Sequence, residues 1–435
     1  MCLAPIPWLL RRFVALTAIL GLAGYVWIYA AHLADAPIRS DGYSYYVYLP
    51  AWLLNGDPTL DSVARDCCGG TFPEFSGITR WPGTKRWVNP HPIGVAVLTL
   101  PFFVGAHLLT RWSNLPPDGF SFYYQYVCGL AGLSALLAGL AVLRVLLTRH
   151  FTSGVALAAL VTITWGTNLF HYGVYDSAFS HAFSFFLSAA LMLLTEDWWE
   201  EPTWRGSVLI GMVGALVVLT RHPNAVFLLI VPAYGAAARA SWTQAVAIAW
   251  KRKAMIAAML GVAVTAVLPQ LLIYRQATGH WFVSAYGQVG HFDFRSPHLL
   301  GVLFGVQKGL FFWSPVLLLA VAGVTVASGV AQRFRVAALV IFAVDTWLIA
   351  SWSDWQFGGS FGHRGFTDGL ALAAVFLAAF FQWTTTRPKL ARVVCAIATL
   401  LVLISVRQML QYWLGELPIA NTTWDQYRHL FLRFP

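Results

Sequence analysis

"RRFVALTAILGLAGYVWIYAAHLADAPIRSDGYSYYVYLP", residues 11–50, opens on two arginines, stays apolar to about Ala34 and then turns polar at once. The apolar run is about 20 residues, the length of a bilayer crossing, where a cleaved signal core is about 7–15. It is expected to be a retained transmembrane helix. Arg11 and Arg12 in front of it place the N-terminus in the cytoplasm and residues 35–90 outside. Beyond the run, one acid, Asp41, is followed by four tyrosines within a few residues.

The rest of the chain continues the pattern. Of 435 residues, 58% are hydrophobic, 15% aromatic and only 11% charged, too little charge to cover a soluble domain. Apolar segments recur at 13–34, 91–111, 123–147, 154–170, 182–195, 206–219, 225–238, 254–274, 300–328, 336–353, 367–383 and 393–413. With no linker or repeat between them, residues 1–435 read as a single all-α integral membrane domain, since helices satisfy their own backbone in lipid. The expectation is a helical bundle of about 11–13 spans, with a large first outer loop, 35–90, carrying amphipathic surface helices. The formal charge of +10 suits loops against an anionic lipid face; the basic residues form no patch or stripe, which argues against nucleic acid as a partner.

Arg205, Arg239, Lys251 to Lys253, Arg333, Arg335, Arg387, Lys389 and Arg392 all fall between spans, and from residue 182 onward they share one, cytoplasmic, side. Two short helices are expected to meet at "TRHPN", 220–224. One parity conflict stands around 91–122. If Arg149 is cytoplasmic, the segment 91–111 must dip and return or lie at the surface; if that segment spans, Arg149 breaks the charge rule.

The polar residues left outside come from separate loops but share one face, and ionisable residues near lipid depth mark functional sites by default. Asp41 reads equally as a helix cap, with Ser40 beside it, or as a general base at the bilayer surface. Lys85 and His91, in "KRWVNPHPIG", suit an anionic headgroup. His171, Asp176 and His181 stand about five apart, which misses the three- or four-residue spacing of helical metal pairs, so no metal is assigned; a divalent ion is not indicated. Arg221 can fork onto a phosphate and Lys308 can meet one as a point charge. "SWSDWQFGGSFGHRG", 351–365, brings tryptophan faces suited to sugar rings, a glycine-rich turn without a nucleotide fingerprint, then His363 and Arg364. Cys2, Cys128 and Cys395 read as unconnected, with Cys67 and Cys68 as the one candidate loop disulfide.

The acid after the first span, the large first loop, "NPHPIG" opening the second apolar segment, and the later blocks "RHPN", "KGLFFWSP" and "GGSFGHRG" together resemble the bacterial GT-C fold glycosyltransferases. These are polytopic enzymes of a family 39-like kind, related to protein O-mannosyltransferases and the lipid A aminoarabinose transferase. The window "SDGYSYY" has one acid where many members have two, and the chain is expected to be without the long C-terminal soluble domain of some members. The resemblance implies an inner-membrane enzyme acting on the outer-leaflet side. It would move a sugar from a polyprenyl-phosphate donor to a glycan, lipid or protein hydroxyl, with inversion. Asp41 would be the base, and Lys85, His91, Asp176, His181, Arg221, Lys308, His363 and Arg364 would bind substrate. Two rivals remain from the residues: an O-antigen ligase or polymerase, and a transporter with mid-span charges such as Asp345.

Overall fold

The structure, a computed structural model, describes residues 3, 7–239, 241–284, 290–431 and 433. Cys2 lies outside the described residues. The chain opens with α1 (Pro7–Ala30). The first loop then holds α2 (Asp41–Tyr46), a π-helical turn (Pro50–Leu54), α3 (Asp61–Cys68) and a two-stranded antiparallel ribbon, β1 (Thr79–Arg80) and β2 (Trp87–Val88), with Thr79 opposite Val88. Next come α4 (Gly94–Arg111), α5 (Phe122–His150), α6 (Ser153–Trp165), α7 (Leu169–Val174), α8 (His181–Glu200) and α9 (Trp204–Thr220). A 3-10 run, His222–Leu229, enters α10 (Ile230–Ala238), followed by α11 (Trp242–Lys251) and α12 (Lys253–Thr278). The second half comprises α13 (Leu299–Phe304), α14 (Leu310–Trp313), α15 (Leu317–Thr325), α16 (Gly329–Ser351), α17 (Leu370–Thr384), α18 (Pro388–Trp413) and α19 (Trp424–Leu430); a 3-10 turn, Arg364–Gly369, opens α17.

Among the described residues, 7 helices are long and apolar enough to cross a membrane, or up to 8 if the bent pair His222–Ala238 and Trp242–Lys251 is one span. Of the other expected segments, 154–170 and 206–219 form helices of 13 and 17 residues, 300–328 is broken into α13, α14 and α15, and 182–195 lies in α8, a continuous helix that ends in Glu196, Asp197 and Glu200. The chain is a polytopic all-α membrane protein.

Paired side chains identify the two ends of the bundle. At one end Arg144 donates to the carbonyl of Arg11 at 3.3 Å, Arg149 pairs with Asp197 at 2.5 Å and Arg239 donates to the carbonyl of Trp199 at 2.6 Å. Arg333 lies 3.9 Å from Glu200 at the same end. Arg11, Arg144, Arg149, Arg239 and Arg333 therefore share one end. The first loop and the residues discussed below occupy the opposite end.

This resolves the parity conflict. Although α4 passes on length and hydropathy, it does not run from one end to the other. Its start is held by the first loop, with Tyr48 donating to the carbonyl of His91 at 2.8 Å and Asn89 to that of Ser44 at 2.7 Å. Two turns from its end, Phe103 still touches Tyr46 of α2 and His107 meets Tyr124, near the start of α5. The connection after α4 returns to the same place, where Tyr46 donates to the carbonyl of Gly119. Thus α4 lies across the first-loop end of α5, and α5 runs back to Arg11.

Close helix packing rests on small residues, as expected where lipid supplies no hydrophobic drive. Gly132 of α5 lies so close to the Ser177 carbonyl, and Gly323 of α15 to that of Phe376, that a Cβ at either position would collide with backbone. The tyrosines of the first loop are placed differently from the expected surface helix. Tyr43, Tyr45, Tyr46 and Tyr48 are all buried, and Tyr43, Tyr46 and Tyr48 share a core with Phe103 and Tyr124. The loop folds over α4 and needs its own core, and aromatic side chains supply the most area per residue. Cys67 and Cys68 are joined in a disulfide and Cys128 is buried and free; Cys395, expected to stand alone, is also disulfide-bonded.

Candidate active site

Asp41 is the first residue of α2. Ser40 before it has φ 48°, in the left-handed region, and makes no side-chain cap bond, so the chain turns sharply into the helix there. Neither residue caps the helix. The Asp41 carboxylate faces inward, with its Oδ2 at 3.0 Å from a guanidinium nitrogen of Arg364 and 3.9 Å from Nε2 of His91. Its side chain keeps 27% exposure, so a small group can still reach it.

Arg364 comes from the turn before α17, and His91 from the "NPHPIG" turn before α4. The His91 ring is packed edge-on against Tyr45, centroids 4.5 Å apart. Its backbone is fixed by Asn89 at 2.9 Å, and Gln270 of α12 anchors the next turn by accepting from the Ile93 amide at 2.9 Å. Three distant segments therefore meet at one carboxylate.

A second acid stands behind the first. Asp368, on the same 3-10 turn as Arg364, accepts from Arg221 at 2.7 Å and from Nδ1 of His181 at 3.0 Å. The two guanidinium groups share a neighbour, the ring of Phe357, at 6.0 Å from Arg221 and 5.7 Å from Arg364. Phe357 has φ 55°, an outlier for a bulky residue, which the glycine-rich stretch around it makes room for. Phe179 lies 5.4 Å from Arg364 on another element. The rings hold the guanidinium planes by cation–π contact.

The electrostatics follow from this packing. Burial pushes the Asp41 carboxyl up, but Arg364, then His91, His181 and Arg221, outweigh it and hold the group below the usual carboxylate range. Burial pushes His91 down to about 4, with Asp41 opposing and Arg364 and Arg221 adding to the fall, so the imidazole is neutral at pH 7. His363 is buried edge-on against Phe366 at 5.0 Å; burial outweighs a Trp355 backbone contact and, with nearby Lys308, Arg364 and Arg221, pushes it to about 3.

The expected site residues thus divide. Asp41, His91, Arg364, Arg221 and His181 converge, through Asp368 and Phe357, and His363 sits directly beside them. Asp176 faces another way. It pairs with Arg39 at 2.8 Å and with Nε2 of His171 at 2.9 Å, while Trp413 donates to Nδ1 of His171 at 2.9 Å. That chain of contacts ties α18 and α7 to the start of the first loop, two residues before Asp41. Lys308 is buried and donates to the carbonyls of Ser360 and Ile419, clamping the glycine-rich loop to the C-terminal segment. Lys85 lies exposed between β1 and β2, its carbonyl accepting from Arg80, and joins none of these contacts. The tryptophans of "SWSDWQ" are occupied by protein: Trp352 packs on Phe292 at 4.8 Å and Trp355 on His298 at 5.6 Å.

Sequence reading missed Asp368, Arg39 and Phe357. Asp368 could have been found: an acid opening an apolar segment, four residues after Arg364, meets the same rule that singled out Asp41. Nothing local marks Arg39, whose partner is remote. The His171, Asp176 and His181 set is split between two acids, and no group of three or more His, Cys, Asp or Glu among the described residues is placed to hold a metal ion.

No family model matches the chain, and no curated protein does. Among solved structures, it is similar to the archaeal oligosaccharyltransferase AglB from Archaeoglobus fulgidus, determined with an inhibitory peptide and a dolichol-phosphate. The identity is 13% and the TM-score 0.50, over 98% of this chain and 60% of that one. The chain therefore spans less than two thirds of that enzyme's length. This likeness is one of backbone architecture, and the fold it shows is the GT-C fold.

Proposed function

We propose that the protein is a membrane glycosyltransferase that takes a monosaccharide from a polyprenyl-phosphate donor and passes it to an acceptor hydroxyl, with the site end facing the outer side. The observation that carries this reading is the ionised, partly exposed Asp41 set against two guanidinium groups that share Phe357. A carboxylate beside paired arginines is what transfer from a phosphate ester needs: a proton acceptor on one side, and fixed positive charge where the leaving oxygen builds up negative charge.

The step is a single displacement. Asp41 takes the proton of the acceptor hydroxyl as its oxygen forms a bond to the anomeric carbon. The bond from that carbon to the phosphate oxygen breaks, and its electron pair leaves with the polyprenyl phosphate. Arg364 and Arg221 steady the phosphate through the positive charge of their guanidinium groups. Attack opposite the leaving oxygen inverts the configuration. His91, neutral, packs beside Asp41 and limits its movement. In this reading Asp176 and Lys308 act on the geometry of the loops around the site, and Lys85 does not reach the donor.

A ligase or polymerase would share the outer-face arginines, but gives no reason for a carboxylate at the start of the first loop to be held against one of them. A transporter needs its charges deep between helices, whereas these are gathered at one end. The test is transfer of labelled sugar from polyprenyl-phosphate donors by the purified protein in nanodiscs, with the anomeric configuration of the product read by NMR. Inverted product supports the reading; retained configuration, or no transfer from any such donor, would overturn it.

A further inference from the structure

Asp41 as it stands is a weak base. It is ionised, but its charge is matched by Arg364 at 3.0 Å, with Arg221 adding to the same positive field. A general base works best when its proton affinity lies near the working pH, and a carboxylate held this low does not. The geometry offers a remedy. Arg364 is held by Phe179 and Phe357 against its face and by Asp41 at one nitrogen. An anion must come to its N–H edge, and will then stand within a guanidinium's width of the Asp41 carboxylate.

Resting on the glycosyl-transfer reading, we propose that Arg364 is shared between Asp41 and the donor phosphate, so that docking of the donor is what makes Asp41 basic enough to take the acceptor's proton. Two effects act in the same direction. The phosphate competes for the guanidinium's hydrogen bonds, and its negative charge disfavours the neighbouring carboxylate. The acceptor hydroxyl is therefore activated only when a donor is seated. The titratable and charged groups facing Asp41 are Arg364 from the turn before α17, His91 before α4, His181 of α8, Arg221 after α9, Tyr45 on its own helix and Tyr172 of α7. Asp368 bonds to two of these, His181 and Arg221, so its charge is already partnered.

Linkage gives the test. If phosphate docking strengthens proton binding at Asp41, it takes up a proton there, and the phosphate binds more tightly as pH falls. The probe is polyprenyl phosphate, titrated into the protein in nanodiscs at pH 5 and pH 7, in wild type, Asp41→Asn and Arg364→Gln. Titration of the lipid itself is common to all three. The expected result is a tightening from pH 7 to pH 5 that is several-fold greater in wild type than in Asp41→Asn, because a carboxyl made basic enough to take the acceptor's proton must titrate within that pH window. Arg364→Gln should bind weakly and lose the excess. Equal pH ratios in wild type and Asp41→Asn would overturn the shared-arginine proposal and leave the transfer reading standing. No binding of the lipid phosphate to folded protein would overturn both.

Discussion

Asp368 accepts from Arg221 at 2.7 Å and from His181 at 3.0 Å, while Arg364, on the same turn, holds Asp41. One turn of chain thus sets both guanidinium groups. Replacing Asp368 with Ala should leave Arg221 without its orienting partner, and a charge-assisted hydrogen bond is worth about 1.5–3 kcal/mol. The expected outcome is a rise of tenfold or more in the donor KM, with a smaller change in kcat. Asp368→Asn, which keeps an acceptor, should recover part of the loss. Steady-state kinetics over a range of donor concentrations checks this.

The contacts of Asp176 predict an acid-sensitive first loop. Burial pushes its carboxyl up, but Arg39 and then the His171 hydrogen bond and charge outweigh this and hold it at about 2. A carboxyl lowered in the folded state contributes stability that is fully present above its unfolded value, about 3.9, and is lost as pH falls through about 2. Asp176→Asn should remove that dependence and lower the melting temperature at pH 7. Melting curves of the two proteins between pH 3 and pH 7 should draw together as the pH falls.

Gly132 of α5 has the Ser177 carbonyl where a side chain would go, whereas Gly105 of α4 has open space. Gly132→Ala should push the Asp176 turn away from α5 and destabilise the protein by about 1–3 kcal/mol, as overpacking does. Gly105→Ala should be neutral or slightly stabilising, because alanine is the better helix former. Thermal denaturation of both variants side by side is the measurement.

Lys308 joins the glycine-rich loop to the segment after α18 through Ser360 and Ile419. Lys308→Met keeps the length of the side chain and removes all its donors, leaving two carbonyls without this partner. Limited proteolysis should cut around residues 414–423 several-fold faster in the variant, and transfer should fall with it.

The amino-acid sequence carries much of this architecture, and what it hides is hidden for physical reasons. Apolar length is a property of the chain, so the helices are legible in it. The gathering of Asp41, His91, His181, Arg221 and Arg364 at one end is legible too, because basic residues between spans orient the helices. Which of them touch is not. Asp176 and Lys308 look like substrate ligands for being charged at the right face, yet remote groups, Arg39, His171 and the carbonyl of Ile419, engage them. The path of α4 is hidden because a helix lying across another has the same composition as one that crosses the membrane. The tyrosines of the first loop look interfacial for a similar reason: burial under a loop and burial in lipid select the same side chains.

The central claim is that Asp41 is the base of a sugar transfer. Asp41→Asn is nearly isosteric and keeps an oxygen for Arg364, so it should fold with a melting temperature close to wild type, and it should bind polyprenyl phosphate at pH 7 more tightly than wild type, because the competing carboxylate charge is gone. Transfer of labelled sugar from a polyprenyl-phosphate donor should fall by at least about a hundredfold, the scale of a lost general base. Wild-type transfer rates from the folded variant would contradict the account.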